Sequence, residues 1–183
     1  MFASPQEPVS FSRNCKAVLI PAGDLVEMPA GTIGYLTQSL GGSFTVYVEG
    51  NLFRVAREDA DAIGQVPPPL PVLPENATDK DVEDLIWAQM RTCFDPEIPV
   101  NIVDLGLIYN CSVNKNASGE RVVSIDMTLT APGCGMGEIL VEDVRDKVEL
   151  VPTVAAVEVD LVWEPPWTQD MMSEDALLET GLM

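Results

Sequence analysis

The stretch Thr128-Leu129-Thr130-Ala131-Pro132-Gly133-Cys134-Gly135-Met136-Gly137 separates two different periodicities. Before it, Val123, Ile125, Met127 and Leu129 alternate with Ser124, Asp126, Thr128 and Thr130, the period-two pattern of a half-buried strand. After it, Leu140, Val141, Val144 and Val148 recur at helical spacing, with Glu138 in a first turn where the helix dipole favours an acid. The spacing predicts a strand-to-helix joint with Cys134 inside it. Gly133, Gly135 and Gly137 tolerate positive φ and leave backbone N–H groups uncovered, so the joint and the helix start favour negative charge. A thiol placed there loses its proton more readily.

Downstream, the helix of about residues 137–150 stops before Pro152, and Val157, Val159, Leu161 and Trp163 then alternate as a further strand. Upstream, Thr78 is placed to cap a helix with Asp79 and Asp81 in its first turn, and Val82, Leu85, Ile86 and Met90 form one face. That helix is expected to stop near Phe94, because Pro96 disfavours helical geometry at Asp95. A loop bearing Asp95, Glu97 and Asp104 leads into a strand through Tyr109, Cys111 and Val113, followed by a polar turn over Asn114–Glu120. The order helix, strand, strand, helix, strand predicts a two-layer α+β domain with a mixed sheet. Its second helix is a right-handed crossover that makes the third strand parallel to the second.

Five segments follow from composition. Residues 1–14 are polar, contain Pro5 and Pro8, and read as a flexible lead-in. Residues 15–65 alternate short apolar runs with glycines, including a hairpin at Gly50-Asn51, and read as a small β-rich domain. Its acidic end, residues 57–62, reads as a short closing helix with a solvated face rather than a carboxylate metal site. Residues 66–77 form a proline-rich, extended linker. Residues 78–167 hold the α+β domain, and 168–183 form a C-terminal tail whose short helix starts at Ser173 and makes its apolar contact through Leu177 and Leu178.

The chain of 183 residues carries 10 basic and 29 acidic residues, a net charge of -19, which repels nucleic-acid phosphates and anionic lipid. Proteins or metal species are the expected partners, and neither nucleic acid nor membrane is. With no histidine, the commonest zinc ligand and the usual neutral-pH general base are missing, which argues against familiar hydrolase mechanisms. Cys15, Cys93, Cys111 and Cys134 contain no C-x-x-C pair, so neither a thioredoxin-like site nor a self-contained four-thiolate cluster is signalled. Cys15, Cys93 and Cys111 adjoin apolar sequence and read as packing residues. Lacking a basic-then-apolar leader or a bilayer-length apolar run, the chain is expected in the cytoplasm.

Asp95-Pro96-Glu97-Ile98-Pro99, Val103-Asp104-Leu105-Gly106-Leu107-Ile108-Tyr109, Thr128-Leu129-Thr130-x-x-x-Cys134 and Trp163-x-Pro165-Pro166-Trp167 occur in that order. Together they resemble the metal-sulfur cluster assembly domain family of SufT/PaaD-like proteins, over roughly residues 78–167. The glycine-rich unit before the linker looks like the N-terminal region of longer SufT-type members. The resemblance implies an assembly or maturation factor of the SUF type rather than a catalyst, acting through Cys134 on iron or a transient iron-sulfur cluster. It carries over Asp95, Glu97, Asp104, Thr128, Thr130 and Cys134 as pocket residues. It also implies iron-sulfur scaffold or carrier proteins and client apoproteins as partners. Many family members have proline after the cysteine, where this chain has Gly135.

One thiolate per chain is too few for a stable cluster, so two chains sharing it as a homodimer, a partner protein or a small thiol would complete the shell. From the residues alone, Asp95, Glu97 and Asp104 are equally readable as turn and surface acids, and the threonine hydroxyls as local hydrogen-bonders. Two other functions stay open: a pure protein adaptor, and a thiol enzyme or redox sensor using Cys134, the latter weakened by the missing base.

Overall fold

The chain divides after Pro69, inside the proline-rich run, into units Met1–Pro69 and Leu70–Met183. The computed structural model describes residues 7–95, 98–131 and 135–181. Glu97 and Cys134 lie outside these residues, as do positions 1–6 of the expected lead-in.

In the first unit, short alternating runs form six strands: β1 (Glu7–Ser10), β2 (Cys15–Ile20), β3 (Leu25–Met28), β4 (Ile33–Leu40), β5 (Ser43–Val48) and β6 (Asn51–Val55). They make one antiparallel sheet in the order β1-β4-β5-β6-β2-β3. The expectation of a loose segment up to residue 14 is corrected here, because β1 pairs with β4 and both Val9 and Phe11 are buried. Pro8 is tolerated because β1 is an edge strand, where a missing N–H costs no ladder bond. Between β5 and β6, Glu49 and Gly50 both take positive φ, the backbone of a two-residue type I′ hairpin, and Asn51 already pairs with Val48. A 3-10 helix, Arg57–Ile63, buries Ala60, Ala62 and Ile63 against Phe44, Val46 and Val55, closing the inner face of the sheet.

In the second unit, helix α1 (Asp79–Met90) starts with a complete capping box. The Asp81 N–H donates to the Thr78 hydroxyl, and the Thr78 N–H donates to the Asp81 carboxylate at 2.7 Å. Strands β7 (Ile108–Lys115) and β8 (Arg121–Met127) are antiparallel. Helix α2 (Gly137–Glu149) then crosses over to β9 (Val154–Leu161), which is parallel to β8. The sheet β7-β8-β9 is therefore mixed, and the unit is α+β as expected. Val82, Ile86 and Met90 of α1 and Leu140, Val144 and Val148 of α2 share one core with Val123, Ile125, Met127, Val157 and Val159 of the sheet.

Three readings change at element ends. Strand β8 stops at Met127, so Thr128 and Thr130 do not share a strand face. Thr128 and Leu129 are buried in succession, which a one-sided strand does not allow. The last strand starts at Val154 and ends before Trp163, which is exposed. Residues 168–181 are not a separate tail: Met172 and Ala176 are part of the core, while Leu178, one of the two expected contacts, is exposed on helix α3 (Glu174–Thr180). Among the described residues, no helix is long and apolar enough to cross a membrane.

Candidate functional site

The joint between β8 and α2 is fixed from both sides. A Cβ at Gly137 would fall 2.6 Å from Leu129 Cδ1, so glycine serves a close approach of helix start to strand end. It does so within the helix, where no positive φ is needed. The N-cap residue of α2, Met136, is buried and supplies no side-chain cap, so it leaves the first-turn N–H groups without that acceptor. On the strand side, the Thr128 N–H donates to the Leu107 carbonyl at 2.8 Å, and the Val162 N–H donates to the Met127 carbonyl at 2.8 Å. The strand end of the joint, at Thr128, thus lies against the loop that precedes β7.

That loop is built by local hydrogen bonding. Phe94 and Asn101 form an antiparallel bridge, inside which the Asp95 N–H donates to the Val100 carbonyl at 3.2 Å. Asp95 is buried, and its Oδ1 accepts the Ile98 N–H at 2.9 Å. Asn101 then organises the next turn: its Oδ1 accepts the N–H groups of Val103 and Asp104, while its Nδ2 donates to Asp104 Oδ2 at 2.5 Å. Asp95, Asp104 and Thr128 are therefore connected through one continuous backbone region, with Asn101 and Leu107 as the links. Thr130 is half-buried, and among the described residues no hydrogen bond ties its side chain to that region.

The segment after β9 braces the same loop. Trp167 Nε1 donates to the Leu105 carbonyl at 2.8 Å, and the Ser173 N–H donates to the Asp104 carbonyl at 2.8 Å. At Gly106, with φ of 72°, an added Cβ would fall 2.2 Å from the Met171 carbonyl oxygen. Tyr109 is the extra residue of a β-bulge in β7, and its hydroxyl donates to the Pro165 carbonyl at 2.8 Å. A further tie comes from buried Lys147 of α2, whose Nζ donates to the Thr92 carbonyl at 2.7 Å and pairs with Asp143 at 3.0 Å.

The remaining thiols are packed. Cys15 and Cys93 are buried, and burial, followed by the charge of Asp59, pushes the Cys15 thiol up. Burial, with a smaller contribution from Glu83, pushes Cys111 up to about 11. Among the described residues, no group of three His, Cys, Asp or Glu side chains could hold a metal ion. Asn101, Lys147 and the Trp167 indole N–H were not identified as organising the loop from sequence. The Asn-x-x-Asp spacing of an Asx turn was a visible signal for the first, whereas the partners of the other two are distant in sequence.

The sequence model of the family described as "Iron-sulfur cluster assembly protein" matches residues 83–160. An Fe-S protein maturation auxiliary factor of Porphyromonas gingivalis is 50% identical over 101 residues, covering 55% of this chain and 92% of that protein. The Fe-S protein maturation auxiliary factor SufT of Staphylococcus aureus is 42% identical over 88 residues, 48% of this chain and 96% of that protein. The Fe-S protein maturation auxiliary factor YitW of Bacillus subtilis is 36% identical over 101 residues, 55% of this chain and 95% of that protein. Each relative is matched almost throughout, while about half of this chain has no counterpart in it. The chain belongs to the iron-sulfur cluster assembly protein family and, within it, resembles the SufT-type members.

Proposed function

We propose that this chain matures iron-sulfur proteins by carrying iron or an iron-sulfur cluster as cargo on Cys134 and passing it to client apoproteins. The observation that carries this reading is the start of α2: Gly137 is seated against Leu129, and Met136 contributes no side-chain cap. Cys134 stands two residues before that cap in the sequence. First-turn N–H groups and the helix dipole favour a thiolate at such a position. A thiolate is a soft ligand suited to iron-sulfur chemistry. The other three cysteines compete poorly, since Cys15 and Cys93 are buried and Cys111 holds its proton.

Asp95, Glu97, Asp104, Thr128 and Thr130 are the proposed surround of that sulfur, with Asn101 orienting Asp104. Asp95 and Asp104 already accept local hydrogen bonds, which suits them to shape the loop. A single thiolate holds cargo incompletely, so the remaining ligands come from a second chain, a scaffold, carrier or client protein, or a small thiol. That is appropriate for a group to be handed on. The chain acts in this reading as an assembly factor in the cytoplasm rather than as an enzyme.

Transfer tests it. The full chain is loaded anaerobically with iron and sulfide, freed of excess reagent and mixed with an apo-ferredoxin, whose visible circular dichroism is followed. Wild type is expected to convert the acceptor, and Cys134→Ser is expected to fall to the rate of free iron and sulfide. Equal conversion by the two proteins would refute cargo carriage on Cys134.

A further inference from the structure

The outward face of the first unit's sheet carries an apolar row that the iron-sulfur reading does not use. The strand registers place Pro8, Tyr35, Tyr47, Leu52 and Ile20 side by side across β1, β4, β5, β6 and β2. Tyr35 and Tyr47 are directly opposed, and they are 45% and 40% exposed. Ile33, 70% exposed, and Leu25, 63% exposed, extend the patch on β4 and β3. These residues point away from the core, which is filled from the other face by Val9, Phe44, Val46 and Val55. Exposed apolar surface this continuous marks an interaction site.

We infer that this face is a self-association surface, packed against the same face of a second copy of the chain. Charge supports that occupant. At a net charge of -19, repulsion opposes the approach of two copies over most of their surface. The charged residues at outward strand positions here are Lys16, Arg54 and Glu27, so this face is not acidic. The row is also self-complementary. A two-fold axis along the strands at Tyr47 places Tyr35 of one copy opposite Leu52 of the other, and Pro8 opposite Ile20. The same operation sets Arg54 over the uncharged Gln38 of β4 rather than over its own copy.

Two such sheets would meet as in a β-sandwich. Five strand spacings of about 4.8 Å and strands of about 18 Å give a projected face of roughly 430 Å². That is below the roughly 800 Å² per partner of a standard interface, so the dimer belongs to the weak, reversible class. Self-association brings a second Cys134 into the particle, but it is a property of the first unit and does not depend on cargo.

The test is sedimentation equilibrium of the full, metal-free chain, with three variants alongside wild type. Wild type is expected to show a monomer–dimer equilibrium. Tyr35→Glu with Tyr47→Glu is expected to raise the dissociation constant at least about tenfold, with unchanged circular dichroism, since central tyrosines dominate such contacts. Ser112→Glu with Ser124→Glu, on the sheet of the other unit, and Cys134→Ser are expected to dimerise as wild type does. With p-benzoylphenylalanine at position 47, irradiation is expected to give a covalent dimer. A wild type that stays monomeric at roughly 1 mM would overturn the inference. So would a dimer insensitive to the tyrosine changes, a dimer lost in Cys134→Ser, or a cross-link from position 47 to the chain's own residues 70–183.

Discussion

The indole N–H of Trp167 donates to the main-chain carbonyl of Leu105 at 2.8 Å, tying the segment beyond β9 to the loop that carries Asp104. Trp167→Phe keeps most of the apolar contact and removes the donor. A net hydrogen bond is worth about 0.5–1.5 kcal/mol, so urea unfolding should show a loss in that range. Hydrogen exchange should also accelerate at the Ser173 N–H, whose acceptor is the neighbouring Asp104 carbonyl.

Gly106 and Gly119 separate backbone strain from steric exclusion. Both take positive φ, 72° and 78°, but a Cβ at Gly119 meets open space and one at Gly106 meets the Met171 carbonyl. Gly119→Ala is expected to cost about 1 kcal/mol from conformation alone. Gly106→Ala should cost at least about twice that, because backbone atoms of the 171 region must move. Equal unfolding midpoints for the two variants would show that the segment around Met171 is not seated on the loop.

Acid should loosen the start of α1. The hydroxyl and N–H of Thr78 donate to the Asp81 carboxylate and hold its pKa below the ordinary 3.8. The folded pKa is depressed, so the stabilisation is present above the unfolded value and fades as pH falls through the folded one. Thr78→Ala is expected to destabilise the chain by about 0.5–2 kcal/mol at neutral pH. The difference from wild type should shrink as pH falls below the ordinary 3.8, as followed by guanidinium unfolding across pH.

Thiol labelling ranks the cysteines. At neutral pH, iodoacetamide should modify Cys134 well before the buried Cys15 and Cys93. Cys111, raised to about 11, should become reactive only as the pH approaches that value. Peptide mass spectrometry resolves the four rates. Uniform labelling near pH 7 would contradict an activated thiol at the joint.

The helix-strand-strand-helix-strand order was legible because each element carries its own period: Val82, Ile86 and Met90 in α1, and Val123, Ile125 and Met127 in β8. Reading failed where the deciding partner is remote. Thr128 and Thr130 continue the alternation of β8 in composition. Yet the strand ends at Met127, and the Thr128 N–H turns to the Leu107 carbonyl. Residues 168–181 look like a polar tail until Gly106 is seen to admit Met171 against the loop, which draws Met172 and Ala176 into the core. Val9 and Phe11 alternate across Ser10, but Pro8 and the polar residues around them hid an edge strand. Of the expected site residues, Asp95 and Asp104 sit in turns that their neighbours already encode, through Ile98 and Asn101.

Iron retention tests the account most directly. Wild type and Cys134→Ser are reconstituted anaerobically with iron and sulfide, desalted, and assayed for bound iron, bound sulfide and visible absorbance. Wild type is predicted to keep iron and sulfide with charge-transfer absorbance, and Cys134→Ser to lose most of both. Matching iron content and matching spectra in the two proteins would contradict the assignment of Cys134 as the ligand that carries the cargo.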